Sequence, residues 1–203
     1  MHGTPPVAWR AARGGTAVRI GFSVPPSAMS PRPLALAAGL LACMAAQAVS
    51  MTAQITAESA LIGLQVAAKQ RAAKGLLPAE QNACFQALKS SEYFETAEAI
   101  VTKALSPADI AAADKFFESL PGRKYARHGV LAIYPALGEP LPAPLPELTP
   151  ADGQAIEAFT ATPVGQALIK RQVLQSWPAR EALDRRGQEL VARCRAVKPE
   201  RPD

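Results

Sequence analysis

Side chains that titrate, attack or ligate are few in this chain, and their spacing does little to organise them. After residue 48 there is one histidine, His128. A hydrolase built on it would need a carboxylate to orient the ring, with Asp109 or Glu118 in that role. Beside Arg127, though, a lone histidine reads more simply as a helix-surface residue. Asp109 and Asp152 would be the pair for general acid and base work. Each lies three residues after a hydroxyl residue, in Ser106-Pro107-Ala108-Asp109 and Thr149-Pro150-Ala151-Asp152, which is the place of a helix-start carboxylate. No cluster of His, Cys and carboxylate has zinc spacing, and no Gly-rich loop follows a strand to cradle phosphate. The residues predict no catalytic group, no cofactor and no metal.

Three cysteines remain: Cys43, Cys84 and Cys194. Cys43 lies in Leu40-Leu41-Ala42-Cys43, which resembles a lipobox, so lipidation there is the alternative to its removal with a signal peptide. Cys84 and Cys194 then form an even pair in an exported chain and predict one disulfide. Nothing like Cys-x-x-Cys points to a redox site.

The elements that must position these groups are nearly written twice. LSPADIAAADKFFESLPGRKYARHGVL at 105–131 returns as LTPADGQAIEAFTATPVGQALIKRQVL at 148–174 without a gap. The identical positions are Leu105/Leu148, Pro107/Pro150, Ala108/Ala151, Asp109/Asp152, Ala112/Ala155, Phe116/Phe159, Gly122/Gly165, Val130/Val173 and Leu131/Leu174. Caps, core and turn recur together, which predicts two copies of one helix–turn–helix unit. In each, a hydroxyl residue caps, Pro takes the first helical turn and Asp meets the positive helix end. Phe116 or Phe159 faces inward, the turn follows, and Gly122 or Gly165 supplies backbone freedom there. A second helix then runs through Tyr125, Val130 and Leu131, or through Leu168, Val173 and Leu174.

Around the repeats the chain predicts more helix. Few aromatics, at 5%, and abundant alanine favour helix over sheet. Helices are expected over Thr52–Lys74, from Leu77-Pro78 through Cys84, Phe85 and Leu88, from a Ser91 cap through Phe94, Ala97 and Val101, and from Ala179 to about Ala196. Between the copies, YPALGEPLPAPLPEL at 134–148 carries five prolines and predicts an extended connector. The sum is an all-α bundle of six to eight helices in one domain, 49–198, containing the two repeats.

Charge and the N-terminal stretch bound the partners. Of 22 Lys and Arg, four (Arg10, Arg13, Arg19, Arg32) precede residue 49, and none of the 17 Asp and Glu does. The remainder is close to neutral, which gives no footprint for nucleic acid. Residues 1–28 have no period and read as a disordered leader or a stretch upstream of a true start at Met29. Residues 29–48 read as a signal peptide: Arg32, an apolar run from Leu34 to Ala46, and the small-x-small site Ala46-Gln47-Ala48. The expected compartment is the periplasm, with a membrane contact only if Cys43 is lipidated.

FFESLPGRK (116–124) and FTATPVGQA (159–167) resemble a family of small helical bacterial periplasmic domains of unknown function. Its mark is an aromatic, then Ser/Thr-Pro-x-Gly, then often Lys. The first copy keeps Phe116, Ser119, Gly122 and Lys124 with its proline at Pro121. The second keeps Phe159, Thr162, Pro163 and Gly165 with Ala167 in place of Lys. The resemblance implies fold and compartment and no reaction. With the absent chemistry, it leads to a non-enzymatic interaction module of the envelope, its protein partner expected in a groove lined by Phe116, Tyr125, Phe159 and Trp177. The alternatives are an inhibitor or immunity protein, an envelope chaperone, and the His128 hydrolase.

Overall fold

The structure, a computed structural model, describes residues 49–197. The expected leader (1–28), the expected signal peptide (29–48) and the expected lipidation site Cys43 lie outside the described residues. Eight α-helices and no strand occur among those described, so the fold is an all-α bundle. Helix α1 (Met51–Ala73) is its axis: Ser50 caps it by accepting the Ala53 N–H at 3.2 Å, and α2, α3, α4 and α5 all pack on it. Its buried face is Ala53, Ala57, Leu61, Ile62, Val66 and Ala68. Small residues on this face let the neighbouring helices come close.

After Gly75, whose φ of +68° turns the chain, follow α2 (Ala79–Ala87), a 3₁₀ turn at Ser90–Tyr93, and α3 (Phe94–Ala104). Ser91 was the expected cap of α3. It lies instead inside the 3₁₀ turn, which buries Tyr93 to 2% exposure and starts α3 three residues later. The repeats supply α4 (Pro107–Glu118), α5 (Leu120–Ala136), α6 (Pro150–Ala161) and α7 (Pro163–Gly165), and α8 (Trp177–Arg195) closes the domain. The connector is shorter than its sequence predicts: Tyr134 to Ala136 still belong to α5. The last helix starts two residues earlier than expected, since Trp177 and Pro178 already belong to its first turn.

The two copies share one corner, atom for atom. Ser119 Oγ donates to the Phe116 carbonyl at 2.6 Å and accepts the Gly122 N–H at 3.2 Å. Thr162 Oγ1 does the same with Phe159 and Gly165, at 2.6 and 3.1 Å. The hydroxyl residue thus ends one helix and caps the next. A Cβ on Gly122 would stand 1.9 Å from the Phe116 oxygen, and one on Gly165 would stand 2.0 Å from the Phe159 oxygen. Neither glycine has a positive φ. Their role is close approach, and the expected role in turn freedom is corrected accordingly.

Past the corner the copies part. α5 runs 17 residues, whereas α7 passes after three into a π-helical turn at Gln166–Lys170. Gln172 then adopts φ 51°, ψ 45°, and a 3₁₀ turn follows at Val173–Gln175. Val173 and Leu174, identical in type to Val130 and Leu131, therefore lie in a different backbone. The continuous second helix expected of the second copy is not formed.

A disulfide joins Cys84 on α2 to Cys194 on α8, with Cα atoms 5.6 Å apart at a sequence separation of 110. α2 is short and buries only Phe85 of its own residues. It is held as well by Gln65 Nε2, which donates to the Leu88 carbonyl at 3.2 Å.

Two outcomes are expected. Gly122→Ala or Gly165→Ala should cost about 1–3 kcal/mol by forcing the corner open. Gly129→Ala in α5, where an added Cβ meets nothing within 4 Å, should instead gain about 0.5–1 kcal/mol; thermal melts read both signs. Replacing both Cys84 and Cys194 by Ala should lower the unfolding free energy in urea by about 4–5 kcal/mol, the loop-closure value for this span.

Candidate functional site

The expected partner groove is not formed as drawn. Phe116 and Phe159 stack on each other, ring centroids 3.9 Å apart and planes 4° from parallel, with Phe117 edge-on to both. Equivalent residues of the two copies thus meet face to face, as in a contact about a two-fold axis, and their flat faces are spent on one another. Phe159 is buried and Phe116 partly so. Trp177 is 78% exposed in the first turn of α8 and lines neither of the two grooves below. Of the four expected residues only Tyr125 reaches one.

That groove has a volume of about 680 Å³ and lies between α1, α5 and the irregular turn after α7. Ile55 and Ala60 of α1, Val130 and Ile133 of α5, and Ile169 and Leu174 beyond α7 give it an apolar wall. The shape follows from the asymmetry of the repeat, since α5 forms a long wall and the broken second copy lays its side chains across one end. Tyr125 lines the groove, and burial pushes its hydroxyl pKa up. His128 sits at the rim. Its Nε2 is 2.5 Å from the Pro146 carbonyl oxygen, which sets that nitrogen as donor. Asp109 accepts the Ser106 hydroxyl at 2.7 Å, and its N–H donates to the same hydroxyl oxygen at 3.2 Å, so that Ser106 caps the helix and Asp109 is held in its first turn. His128, Asp109 and Glu118, named together for the hydrolase reading, share no hydrogen bond.

The contact with Pro146 joins the groove to the connector, residues 137–149, which crosses the surface as a strap. Gly138 begins it with φ +80°. Gln70 Nε2 donates to the Leu137 carbonyl at 2.6 Å, and Lys69 pairs with Glu139 at 2.6 Å. Clamped at both ends, the strap still leaves Leu137, Leu141, Leu145 and Leu148 between 41% and 44% exposed. These are four of the eight large hydrophobic residues exposed among those described.

Across the repeats, Lys124 of the first copy pairs with Asp152 of the second at 2.6 Å. Asp152 Oδ2 also accepts the Thr149 N–H and hydroxyl, both at 2.9 Å, and completes a capping box. The Lys124 hydrogen bond first, and those from Thr149 after it, lower the Asp152 pKa to about 2. The mirror position of Lys124 is Ala167, so Asp109 has no such partner.

A second, charged groove of about 1030 Å³ lies between α3 and α8. Its lining residues Arg186 and Glu92 pair at 3.2 Å; Arg193 of α8 pairs with the same Glu92 at 2.8 Å, and the Arg193 hydrogen bond lowers the Glu92 pKa. The Arg186–Glu92 pairing spans 94 residues, and no local spacing announces it. Among the described residues no three His, Cys, Asp or Glu gather as a metal set, and no helix is long and apolar enough to cross a membrane.

No protein-family model matches the chain, and neither does any curated protein or solved structure.

A depressed carboxylate pKa stabilises the fold above its unfolded value, and that stabilisation is lost as pH falls through the folded value. Asp152→Asn should therefore lower the urea midpoint at pH 6. The gap from the unmodified protein should shrink between about pH 4 and pH 2.

Proposed function

We propose that this protein is an exported, non-enzymatic interaction module of the bacterial cell envelope. It receives the apolar stripe of a partner protein's amphipathic helix in the groove between α1 and α5, and the strap leucines close over the same partner. The observation that carries this reading is a groove walled by Ile55, Ile133, Ile169 and Leu174 whose lining residue His128 also holds, through Pro146, a clamped strap with four exposed leucines. Exposed apolar area of this kind marks protein contacts, and a trough alongside helices suits a helical guest. Clamping lowers the ordering cost of binding.

The compartment has separate support. A disulfide fits an oxidising space such as the periplasm, as do the signal-like stretch at 29–48 and the resemblance of FFESLPGRK and FTATPVGQA to exported helical domains. The near-neutral charge after residue 48 speaks against a nucleic-acid partner.

The test uses the full chain in a Gram-negative host, with a photo-crosslinking amino acid at Leu145. Irradiation is expected to give a discrete protein adduct. Gly129→Trp, whose Cβ meets no atom within 4 Å and whose indole would occupy the groove, should abolish the adduct without lowering the melting temperature. No adduct, or an adduct indifferent to Gly129→Trp, would overturn the reading.

A further inference from the structure

Helix α1 has no acidic residue in its own first turn, although the positive end of a helix favours one. Two carboxylates from other helices stand there instead. Glu98 on α3 accepts both the Ser50 N–H, at 3.0 Å, and the Ser50 hydroxyl, at 2.9 Å, through Oε2. Asp114 on α4 accepts the Thr52 N–H and hydroxyl at 2.9 and 2.8 Å through Oδ1. Ser50 and Thr52 are 9% and 3% exposed. Val49 packs on the core, and its carbonyl accepts Gln54 Nε2 at 2.8 Å. The chain is thus held residue by residue from 49 onward, beside two negative charges. Directly upstream is Ala46-Gln47-Ala48.

We propose that cleavage of the Ala48–Val49 bond is completed by this cluster: the new α-ammonium of Val49 docks on Glu98, so that processing tightens the fold. The inference rests on reading 29–48 as a signal peptide. The reaction is a hydrolysis by an envelope peptidase that accepts small residues one and three positions before the bond. Water adds to the Ala48 carbonyl carbon, the C–N bond breaks, Ala48 leaves as a carboxylate, and the Val49 nitrogen takes up protons to become an ammonium.

The geometry suits the product. Consecutive backbone nitrogens lie on the order of 3 Å apart. The Val49 nitrogen is therefore on the order of 3–6 Å from Glu98 Oε2, within reach of a small side-chain movement. As an amide it offers one uncharged N–H. As an ammonium it offers three donors and a full charge, and charge-assisted hydrogen bonds are the stronger kind. An ammonium alone at this end of α1 would oppose the helix dipole. Glu98 and Asp114 reverse that balance.

The experiment compares four exported proteins purified from the periplasm: the unmodified chain, one with Ser-Gly inserted between Ala48 and Val49, and Glu98→Gln with and without the same insertion. Intact-mass and N-terminal sequencing fix each start. The form beginning at Val49 is expected to melt about 2–4 °C above the extended form, and Glu98→Gln is expected to erase that gap. Equal melting of the Val49 and extended forms overturns the docking while leaving the signal-peptide reading intact. A mature start other than Val49 overturns both.

Discussion

One contact governs the arrangement: a backbone carbonyl pressed against a glycine Cα, with a hydroxyl holding both sides. At Phe116–Gly122 and at Phe159–Gly165 the helix end and the next helix start are closer than any Cβ allows. The hydroxyl of Ser119 or Thr162 supplies what that closeness would otherwise strand, one acceptor for an orphan N–H and one donor for an orphan C=O. With two such corners fixed, the aromatic residue six positions before each glycine is fixed too. The stacking of Phe116 on Phe159 then follows as a packing consequence. That pair seats α4 and α6 together, and the direction of α5 away from its corner defines the wall of the apolar groove.

Much of the fold was legible because its signals are local. Ser106, Thr149, Ser119 and Thr162 each sit one or two residues ahead of a proline and three ahead of the N–H they cap, and each does cap a helix. The disulfide could be named because only two cysteines remained to pair. What escaped depends on contacts distant in sequence. The Glu92–Arg186 and Glu92–Arg193 pairs, the 3₁₀ turn that buries Tyr93, and the loss of helix after Lys170 are decided by what packs against them. Val173 and Leu174 keep the letters of Val130 and Leu131 yet adopt another backbone, since short-range propensity yields to tertiary context.

The candidate site was legible only in part. Tyr125 was placed correctly on its helix, and the proline-rich connector correctly apart from its first three residues, which continue α5. Phe116 and Phe159 were read as inward-facing anchors and also as groove lining, and only three-dimensional pairing reveals that they stack on each other. The π-helical turn and the left-handed Gln172 could not be foreseen from glycine or proline. Non-glycine residues in such backbone cost energy and recur at functional positions, and here the irregular segment forms one end of the groove.

The meeting of Phe116 with Phe159 has an evolutionary corollary. In an association of two separate identical subunits, every replacement is imposed on both sides of the axis at once. Fusion of both halves into one polypeptide removes that obligation. One half can hold a lysine at 124 while the other carries Ala167, and one can extend its second helix while the other unwinds. Equivalent positions of the two copies are then independent variables, and here their difference gives the groove a long helical wall and an irregular segment beside it.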